Sequence, residues 1–438
     1  MNKDDKSAIV IGGGWAGLSA ATNLVNQGFC VTLFESAKQL GGRARCVAFD
    51  NKKVDNGQHL LLGAYKHTLE LLQLCGVNVD KVLLRKPLNI RVLERQGDEF
   101  NFSPGNFPSP LNILLTFLSL PNINLRDRIK SILFIIKLRF SGFSLSRDIT
   151  VRKLLRHQPT VIVKMFWEPL CIAALNTSIN DASAKVFLNV LKDSFTGQAD
   201  ASDLLIPKVD LANLFVQPAM HYIEQHGGTL MLGKKISLVE KKNNTYTVSD
   251  SDGNQYHAQH VVLAGSPQST HALLEKSSLL NETRQQLQQF SYEPICTVYL
   301  QYPSTIKLPS AMIGLINCTG QWIFDRHFCG QAGLMAVVIS ANGSHMQLDR
   351  ITLAQLVSDE LAELFDWPDA DATFVIREKR ATFRAHVDID RLRPNIATTE
   401  KNLWLCGDYT ASPYPATLEA AVQSGLQCSQ EITRTMKQ

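Results

Sequence analysis

Short apolar runs and amphipathic stretches follow one another from the beginning of the chain. Residues 8–11 form a wholly apolar run that is typical of a buried parallel strand, and it stops at Gly12. Residues 18–26 have the spacing of a helix that ends at Gly28, and residues 31–34 form a second apolar run. This order of strand, helix and strand predicts the beginning of a Rossmann-like α/β sheet.

Three glycines, Gly12, Gly14 and Gly17, occupy the turn after the first strand in G-x-G-x-x-G spacing. Gly12 permits a tight turn, Gly14 lets a pyrophosphate approach the backbone, and Gly17 lets the helix pack close to the strand. Trp15 and Ala16 complete this turn, and the amides at the start of the helix point at the phosphates. The spacing predicts a dinucleotide-binding turn, and an ordinary glycine-rich turn is the alternative.

An acidic residue closes the second predicted strand. Glu35, which Ser36 follows, lies 18 residues beyond Gly17. A carboxylate that binds a ribose is expected at an interval of about 20 residues. The order of strand, helix, strand and acid therefore predicts a dinucleotide site, and at this point FAD and NAD both remain open.

A second glycine motif, formed by Gly41, Gly42 and Arg43, lies close behind the second strand. Paired glycines bring backbone amides close to an anion, and the arginine adds positive charge beside a pyrophosphate. A turn with a solvated arginine is the alternative. A nicotinamide-dependent dehydrogenase has no such element at this place, so the motif favours FAD.

A polar cluster of small and amide residues, Asn56, Gly57, Gln58 and His59, precedes the apolar residues 60–62. This composition suits a loop that lies along a flavin, and the alternative is an ordinary turn before a helix. We count the first three as cofactor-binding residues and His59 as a candidate catalytic residue.

The second half of the chain returns to the α/β pattern and supplies five further candidates for the cofactor site. The backbone around Val239 is a place for an adenine, and Ala264 lies where a buried strand ends on small residues. Asp408, which follows Gly407 at a strand end, suits a hydrogen bond to a ribityl hydroxyl. The helix that begins near Thr417 would direct the positive end of its dipole at a flavin ring.

The length of 438 residues allows two sizeable domains, and the net charge of +4 is too small to indicate a nucleic acid partner. Nine cysteines stand singly, without the spacing of metal ligands, so we expect reduced thiols, no metal and a cytoplasmic location. The polar beginning predicts no signal peptide. No apolar run reaches the roughly 18 residues that a membrane-spanning helix needs.

One region, residues 107–156, is both apolar and basic. Residues 107–120 are strongly apolar, and residues 126–143 form an apolar helical pattern with cations interleaved. From residue 126 to residue 156 nine Lys and Arg face two acids, a net charge of +7. Such a region can dock on the anionic inner face of the cell membrane. The alternative is a core helix with a solvated basic face.

Glu168 is the second candidate catalytic residue. It lies in a largely apolar stretch, residues 166–177, between Trp167 and Pro169. If this surround buries the carboxyl group, its pKa rises and it can act as an acid. The alternative is a cap or a salt bridge within the helical region.

Four elements in this order resemble the superfamily of FAD-dependent amine oxidases, protoporphyrinogen oxidases and carotenoid desaturases. They are the first glycine turn with Glu35, the Gly41–Arg43 motif, the strand of residues 261–265, and Gly407 with Asp408 before a terminal helix. Residues 56–65 and 167–177 resemble the squalene-associated branch, the hydroxysqualene dehydroxylases of bacterial hopanoid synthesis.

The predicted fold class is α/β with two discontinuous domains. A Rossmann-like FAD-binding domain is expected over residues 1–85, 205–290 and 395–438. A substrate-binding domain with a mixed sheet and helices is expected over residues 86–204 and 291–394, and residues 107–156 form its membrane-facing part.

The resemblance implies a chemistry for the site. Protonation of the allylic hydroxyl of hydroxysqualene lets water leave, and hydride from reduced FAD then gives squalene. The acid is Glu168 or, as the rival, His59. The implied partners are a C30 isoprenoid substrate and a prenyl synthase of the same pathway. FAD is expected to be non-covalent, because Cys406 lies inside a predicted strand and not in the loop behind it.

Three alternatives remain open at this stage. A polyprenoid desaturase or an amine oxidase would transfer hydride in the opposite direction, from the substrate to FAD. A flavin-binding partner of a prenyl synthase would have no turnover of its own.

Overall fold

Two large sheets organise the chain, which a computed structural model describes over residues 6–49, 52–95, 97, 99–105, 111–196, 200–243 and 245–436. The strands are β1 (Ser7–Ile11), β2 (Cys30–Glu35), β3 (Cys46–Phe49), β4 (Lys52–Asp55), β5 (Leu61–Leu62), β6 (Leu83–Lys86), β7 (Ile90–Glu94), β8 (Glu99–Phe102), β9 (Leu204–Pro207), β10 (Thr229–Leu232), β11 (Ile236–Lys242), β12 (Thr245–Asp250), β13 (Gln255–Ala258), β14 (His260–Leu263), β15 (Tyr292–Gln301), β16 (Met312–Ile316), β17 (Trp322–Asp325), β18 (Leu334–Ser340), β19 (Ala372–Phe383) and β20 (Leu403–Leu405).

Helices connect these strands and form a separate helical region between β8 and β9. They are α1 (Trp15–Asn26), α2 (Lys66–Leu74), α3 (Val79–Val82), α4 (Leu111–Ser119), α5 (Leu125–Phe140), α6 (Val151–Leu154), α7 (Thr160–Ile162), α8 (Glu168–Leu175), α9 (Ala184–Thr196), α10 (Gln217–Gln225), α11 (Pro267–Ser277), α12 (Asn281–Gln288), α13 (Arg350–Phe365) and α14 (Leu418–Met436). Two π-helical turns, Val163–Trp167 and Ala212–Val216, lead directly into α8 and α10.

The first large sheet is parallel, with the strand order β10-β2-β1-β14-β20. Its centre is β1, where Val10 lies opposite Leu33 on β2 and Val262 on β14. Val10 belongs to the core that α1 completes, whereas Ile9 packs in the core that contains β11 and β12. Burial on both faces explains why these strands are continuous apolar runs. The predicted α/β class is confirmed.

The C-terminal helix α14 returns to the beginning of the chain and packs on α1. A Cβ at Gly425 would lie 2.4 Å from the carbonyl oxygen of Ala16 and 2.7 Å from the nitrogen of Ala20. Only glycine permits this approach of the two helix backbones. The contact places the N-terminus of α14 beside the glycine turn.

The second large sheet is mixed, with the strand order β19-β15-β18-β17-β16-β7-β8. Neighbouring strands are antiparallel except for β16 and β7, which are parallel. Alternate residues of β15 (Cys296, Val298 and Leu300) share a core with α13. The opposite face of the sheet, with Val338 and Trp322, packs against the helical region.

The strands of the parallel sheet fall within the predicted FAD-binding segments, and those of the mixed sheet fall within the predicted substrate-binding segments. A small sheet with the order β5-β9-β6 joins residues 61–86 to residues 204–207. The limits of the two domains stay a prediction.

The described part of the apolar and basic region contains α4, α5 and the short α6. Helix α4 lies inside the predicted segment 107–120, and α5 begins one residue before the predicted segment 126–143. Residues 107–110 lie outside the described residues. Seven of the ten exposed large hydrophobic side chains in the described chain belong to this region, and Phe140 is 89% exposed. Among the described residues, no helix combines the length and apolarity that crossing a membrane requires.

Candidate cofactor and active site

The turn between β1 and α1 brings glycine backbone against neighbouring strands. Gly12 has a φ of +117°, and a Cβ there would lie 2.7 Å from the carbonyl oxygen of Ala264. A Cβ at Gly17 would lie 1.9 Å from the carbonyl oxygen of Gly12. Both positions therefore exclude a side chain for reasons internal to the fold. The N-terminus of α1 is held at the carboxyl ends of β1 and β14.

Gly14 differs from these two glycines because nothing surrounds the place where its side chain would stand. A Cβ at Gly14 would have no heavy atom within 4 Å, so open space lies beside this backbone. Gly14 forms a parallel bridge with Gly41, and a Cβ at Gly42 would lie 3.2 Å from the Cα of Gly14. The two glycine motifs thus lie side by side at the N-terminus of α1. This open backbone beside a helix N-terminus fits a pyrophosphate.

Glu35 lies at the end of β2 with its carboxylate at the glycine turn. Oε2 accepts a hydrogen bond from the Gly13 N–H at 2.7 Å, and Oε1 accepts one from Ala37 N–H at 2.8 Å and one from the Ser36 hydroxyl at 3.1 Å. Trp15 is buried, and its indole nitrogen lies 3.4 Å from the carbonyl oxygen of Ala44. The acid, Ser36 and the first glycine motif therefore form one cluster.

Val239 lies on β11 close to this cluster. The N–H of Lys234 donates to the carbonyl oxygen of Glu35 at 2.9 Å, and β11 begins two residues later. The side chain of Val239 is buried, and its N–H donates to the hydroxyl of Ser277 at 3.0 Å. The amide of Val239 therefore already has a partner within the protein.

Arg43 and Asp408, which were predicted for different parts of the cofactor, bind each other. Nη2 of Arg43 lies 2.7 Å from Oδ2 of Asp408, and Nη1 donates to the carbonyl oxygen of Ala381 at 2.7 Å. Burial lowers the pKa of the Arg43 guanidinium, but Asp408 and then Glu378 raise it above its ordinary value. Asp408 is almost fully buried. The ion pair joins the first and last segments of the chain.

The loop after Asp408 is organised by a buried arginine that sequence reasoning missed. Arg393 donates to the carbonyl oxygens of Asp408 at 3.0 Å, Thr410 at 2.9 Å and Tyr414 at 2.7 Å. Burial lowers the pKa of Arg393 to about 10. Thr417 then caps α14, since its Oγ1 accepts the N–H of Ala420 at 3.1 Å. The helix begins where it was predicted to begin.

The polar loop of residues 55–59 lies between the glycine motifs and the mixed sheet. Asn56 Nδ2 donates to the carbonyl oxygen of Arg43 at 3.2 Å and to Oε2 of Glu378 on β19 at 3.3 Å. Gly57 has a φ of +107°, and a Cβ there would lie 3.6 Å from Oγ1 of Thr297 on β15. The structure therefore brings this loop next to the second glycine motif, as a shared site requires.

Gln58 and His59 complete the polar loop. Oε1 of Gln58 accepts a hydrogen bond from Arg326 at 2.7 Å, and Nδ1 of His59 lies 2.8 Å from the carbonyl oxygen of Gly57. Burial lowers the pKa of His59, and Arg43 and Arg326 act in the same direction against the opposite effect of Asp55. Sequence reasoning missed Arg326 and Glu378, which lie far away along the chain and have no motif.

Glu168 is half-buried, so its carboxyl group is not fully enclosed by the apolar stretch around it, and its role as an acid stays a prediction. The buried face of this segment carries Trp167, Cys171 and Leu175, spaced four residues apart. Glu168 lies about 100° around the helix from Trp167, at the edge of that face. Its carboxylate has no hydrogen bond or ion pair to another described residue.

Cys406 lies one residue beyond the end of β20, and not inside the strand as predicted. Its N–H still bonds the carbonyl oxygen of Leu263 at 3.0 Å, as a continuation of the ladder would. The side chain is fully buried, and burial raises the pKa of its thiol to about 12.

Comparison with known proteins shows which family of sequences the chain matches. The sequence profile of the flavin-containing amine oxidoreductases matches residues 15–433. Hydroxysqualene dehydroxylases of Zymomonas mobilis and Sinorhizobium fredii are each 25% identical to the chain. The two matches cover 95% and 96% of this chain, respectively, and 96% of each relative. A zeta-carotene desaturase of Synechocystis is 22% identical over 97% of the chain and 96% of the relative.

Among solved structures, the cyclohexylamine oxidase of Brevibacterium oxydans has a TM-score of 0.75 at 16% identity, and the match covers 99% of this chain and 100% of that one. At this identity the likeness shows the fold alone. The predicted resemblance to the amine oxidase and carotenoid desaturase superfamily is confirmed.

Proposed function

The chain belongs to the family of flavin-containing amine oxidoreductases, and from that premise we propose that it binds FAD non-covalently and reduces hydroxysqualene to squalene. It is a flavin-dependent oxidoreductase of the desaturase type. The observation that carries the narrower proposal is the 25% identity to hydroxysqualene dehydroxylases over nearly the whole length of both proteins.

Each part of FAD has candidate residues in the fold. The Gly14 turn and the N-terminus of α1 would bind the pyrophosphate, Glu35 a ribose, and the backbone around Val239 the adenine. The polar loop and Asp408 would hold the flavin end. The buried, protonated thiol of Cys406 is unsuited to a covalent bond, since the thiolate is the reactive form.

The proposed reaction breaks one C–O bond and forms one C–H bond. The allylic hydroxyl takes up a proton and leaves as water, because hydroxide is a poor leaving group. When bound, reduced FAD supplies the hydride that the resulting allyl cation accepts. The chain must therefore provide a proton donor and exclude bulk water. We propose Glu168 as the donor, with His59 as the alternative.

The surface of α5 supports a membrane-facing role for residues 107–156. Exposed Leu125, Ile129, Leu133 and Phe140 recur at intervals of four and seven residues, so they share one helix face. Exposed cations also recur at intervals of four and seven residues, and they lie on the neighbouring helix face: Arg126, Lys130 and Lys137. An apolar stripe bordered by cations suits the surface of an anionic bilayer. We propose the cytoplasmic face of the membrane as the location.

A polyprenoid desaturase is the second candidate, and the identity to a zeta-carotene desaturase favours it. The two candidates differ in the direction of hydride transfer. For an amine oxidase, an aromatic cage of Tyr409 and Tyr414 is unsupported, because Tyr409 is fully buried and the hydroxyl of Tyr414 bonds Asp193. A prenyl synthase of the same pathway is the partner that the proposed substrate implies.

An anaerobic single-turnover experiment tests the proposal. Protein with its flavin reduced by dithionite is mixed with hydroxysqualene, and we expect flavin reoxidation together with squalene, identified by mass spectrometry. A flavin that stays reduced with hydroxysqualene, in a protein whose oxidised flavin is reduced by a polyprenoid, would support the desaturase instead.

A further inference from the structure

A buried ion pair lies beneath the polar loop. Arg326 begins a 3-10 turn directly after β17, and its side chain is 2% exposed. Nη1 lies 3.2 Å from Oδ2 of Asp55 and 2.7 Å from Oε1 of Gln58, while Nε donates to Oε1 of Gln331 at 2.8 Å. Removal of one partner of such a pair leaves the other charge buried without compensation, so the positions of Arg326 and Asp55 depend on each other.

Other contacts attach the same loop to the mixed sheet and to the π-helical turn. Oδ1 of Asp55 accepts the N–H of Leu211 at 2.8 Å, and the carbonyl oxygen of Asp55 accepts the hydroxyl of Tyr299 at 2.9 Å. The N–H of Gly57 bonds that same carbonyl oxygen at 2.7 Å. The conformation of residues 55–57 is therefore determined from both sides.

The hydrogen bond of His59 identifies its tautomer. Nδ1 lies 2.8 Å from the carbonyl oxygen of Gly57, and a carbonyl oxygen only accepts, so Nδ1 carries the hydrogen. Nε2 has no hydrogen bond to any other part of the chain that the structure describes, and in the neutral ring it is an acceptor. The charged groups that face the ring are Asp55, Arg43 and Arg326.

We propose that Arg326 is a positioning residue: by holding Asp55 and Gln58 it keeps His59 in the Nδ1–H tautomer, with Nε2 free to accept a hydrogen bond. This tautomer makes His59 the acceptor for the hydroxyl hydrogen of the substrate and leaves the proton donation to another group, Glu168. The role at the hydroxyl rests on the proposed function, whereas the tautomer and its control by Arg326 do not.

The tautomer is measured directly by long-range 1H–15N correlation of flavin-loaded protein labelled with 15N-histidine. The His59 signals are identified by their loss in His59→Gln. We expect an Nδ1–H pattern in the wild type and, in Arg326→Gln, an Nε2–H or doubly protonated pattern that becomes visible near neutral pH. Since loss of one partner leaves Asp55 buried and unpaired, the double variant Arg326→Gln with Asp55→Asn removes both charges and tests the same point.

The matched control is Arg95→Gln with Glu363→Gln, which removes an exposed ion pair between the residue after β7 and helix α13 and should leave the His59 signals unchanged. An Nε2–H pattern in the wild type, or an unchanged Nδ1–H pattern in the double variant, would overturn the proposal. If the wild type shows the expected tautomer but does not turn over hydroxysqualene, the proposed function fails and the role of Arg326 stands.

Discussion

The nucleotide end and the flavin end of the proposed cofactor site are shaped by different kinds of groups. At the nucleotide end, backbone atoms of Gly12, Gly14 and Gly17 determine the shape, and the carboxylate of Glu35 accepts a hydrogen bond from the backbone of this turn. At the flavin end, charged side chains with at least one buried partner determine the shape: Arg43 with the buried Asp408, Arg326 with Asp55, and Arg393 with the carbonyl oxygens of its loop.

This difference has consequences for how each end fails. A backbone cradle is damaged by added volume, because a side chain occupies space that the fold or the ligand needs. An arrangement of buried charges is damaged by removal of one partner, because the other charge remains without compensation. Added volume should therefore separate cofactor binding from stability at the first end, whereas charge removal should affect stability and chemistry together at the second.

The largest expected effect is at Gly14. We expect the purified wild type to be yellow and to release FAD on acid precipitation, and Gly14→Val to contain no FAD while it melts like the flavin-free wild type. A Cβ at Gly14 would meet no heavy atom of the protein within 4 Å, whereas the added side chain would occupy the room that a pyrophosphate needs. Absorbance at 450 nm per protein and thermal melts measure both quantities.

Gly17→Ala is the contrasting variant at the same turn. Its Cβ would meet the backbone of Gly12 at 1.9 Å, so we expect a loss of folding stability of more than about 3 kcal/mol in the flavin-free protein. If Gly14→Val and Gly17→Ala had equal folding stability, the proposed difference between them would be wrong: Gly14 would not serve mainly the cofactor, or Gly17 would not serve mainly the fold.

At the flavin end, Arg326→Met should lower the free energy of unfolding by about 3–5 kcal/mol, because Asp55 is left buried without its partner. Urea unfolding followed by circular dichroism measures the change. Arg95→Met, which removes an exposed arginine, is the control and should change stability little. A loss as small as that of the control would mean that the buried pair is not what holds the polar loop.

Glu168→Gln tests the proton donor without disturbing the cofactor. The amide keeps the shape of the side chain but cannot donate the proton, so we expect unchanged FAD content and reoxidation by hydroxysqualene that is slower by at least about 100-fold. Stopped-flow absorbance in single turnover gives the rate. Wild-type rates in Glu168→Gln, combined with an inactive His59→Ala, would transfer the role of the acid to His59.

Exposed apolar residues on α5 provide a smaller effect outside the site. Leu133→Ser with Phe140→Ser should reduce flotation with anionic liposomes about tenfold, and the binding of the wild type should weaken with salt, since the Debye length is about 8 Å at 0.15 M. Ile351→Ser, at an equally exposed position away from this region, is the control. If Leu133→Ser with Phe140→Ser reduced flotation no more than the control Ile351→Ser, α5 would have no specific role in membrane binding.

The smallest expected effect is a pH dependence of stability at His59. The pKa of its folded state is lowered, so as the pH falls below the unfolded value of about 6.5 the unfolded state binds a proton that the folded state does not. Between pH 7.5 and 5.5 the wild type should therefore lose about 1 kcal/mol relative to His59→Gln. Urea unfolding of both proteins at the two pH values measures this difference, and parallel losses would show that the ring is not held neutral.

The nucleotide end was predictable from the sequence because its signals are local. Gly12, Gly14, Gly17 and Glu35 lie within one strand-helix-strand unit, and the period of the apolar residues identifies that unit directly. Backbone approaches of this kind have one residue type that permits them, so the residue itself reports the geometry. The fold class and the terminal helix behind Asp408 followed from signals of the same kind, whereas the family followed from the resemblance that these motifs carry.

The flavin end was decided by tertiary structure, because its parts come from distant segments with no motif of their own. Arg326 lies 271 positions from Asp55, and Glu378 lies 322 positions from Asn56. Charged residues are frequent, and their sequence neighbours do not reveal which of them become buried. Glu168 shows that apolar neighbours along the chain do not establish burial either. Its neighbours indicated burial, but the helix directs their side chains to one face and leaves the carboxylate at the edge of that face.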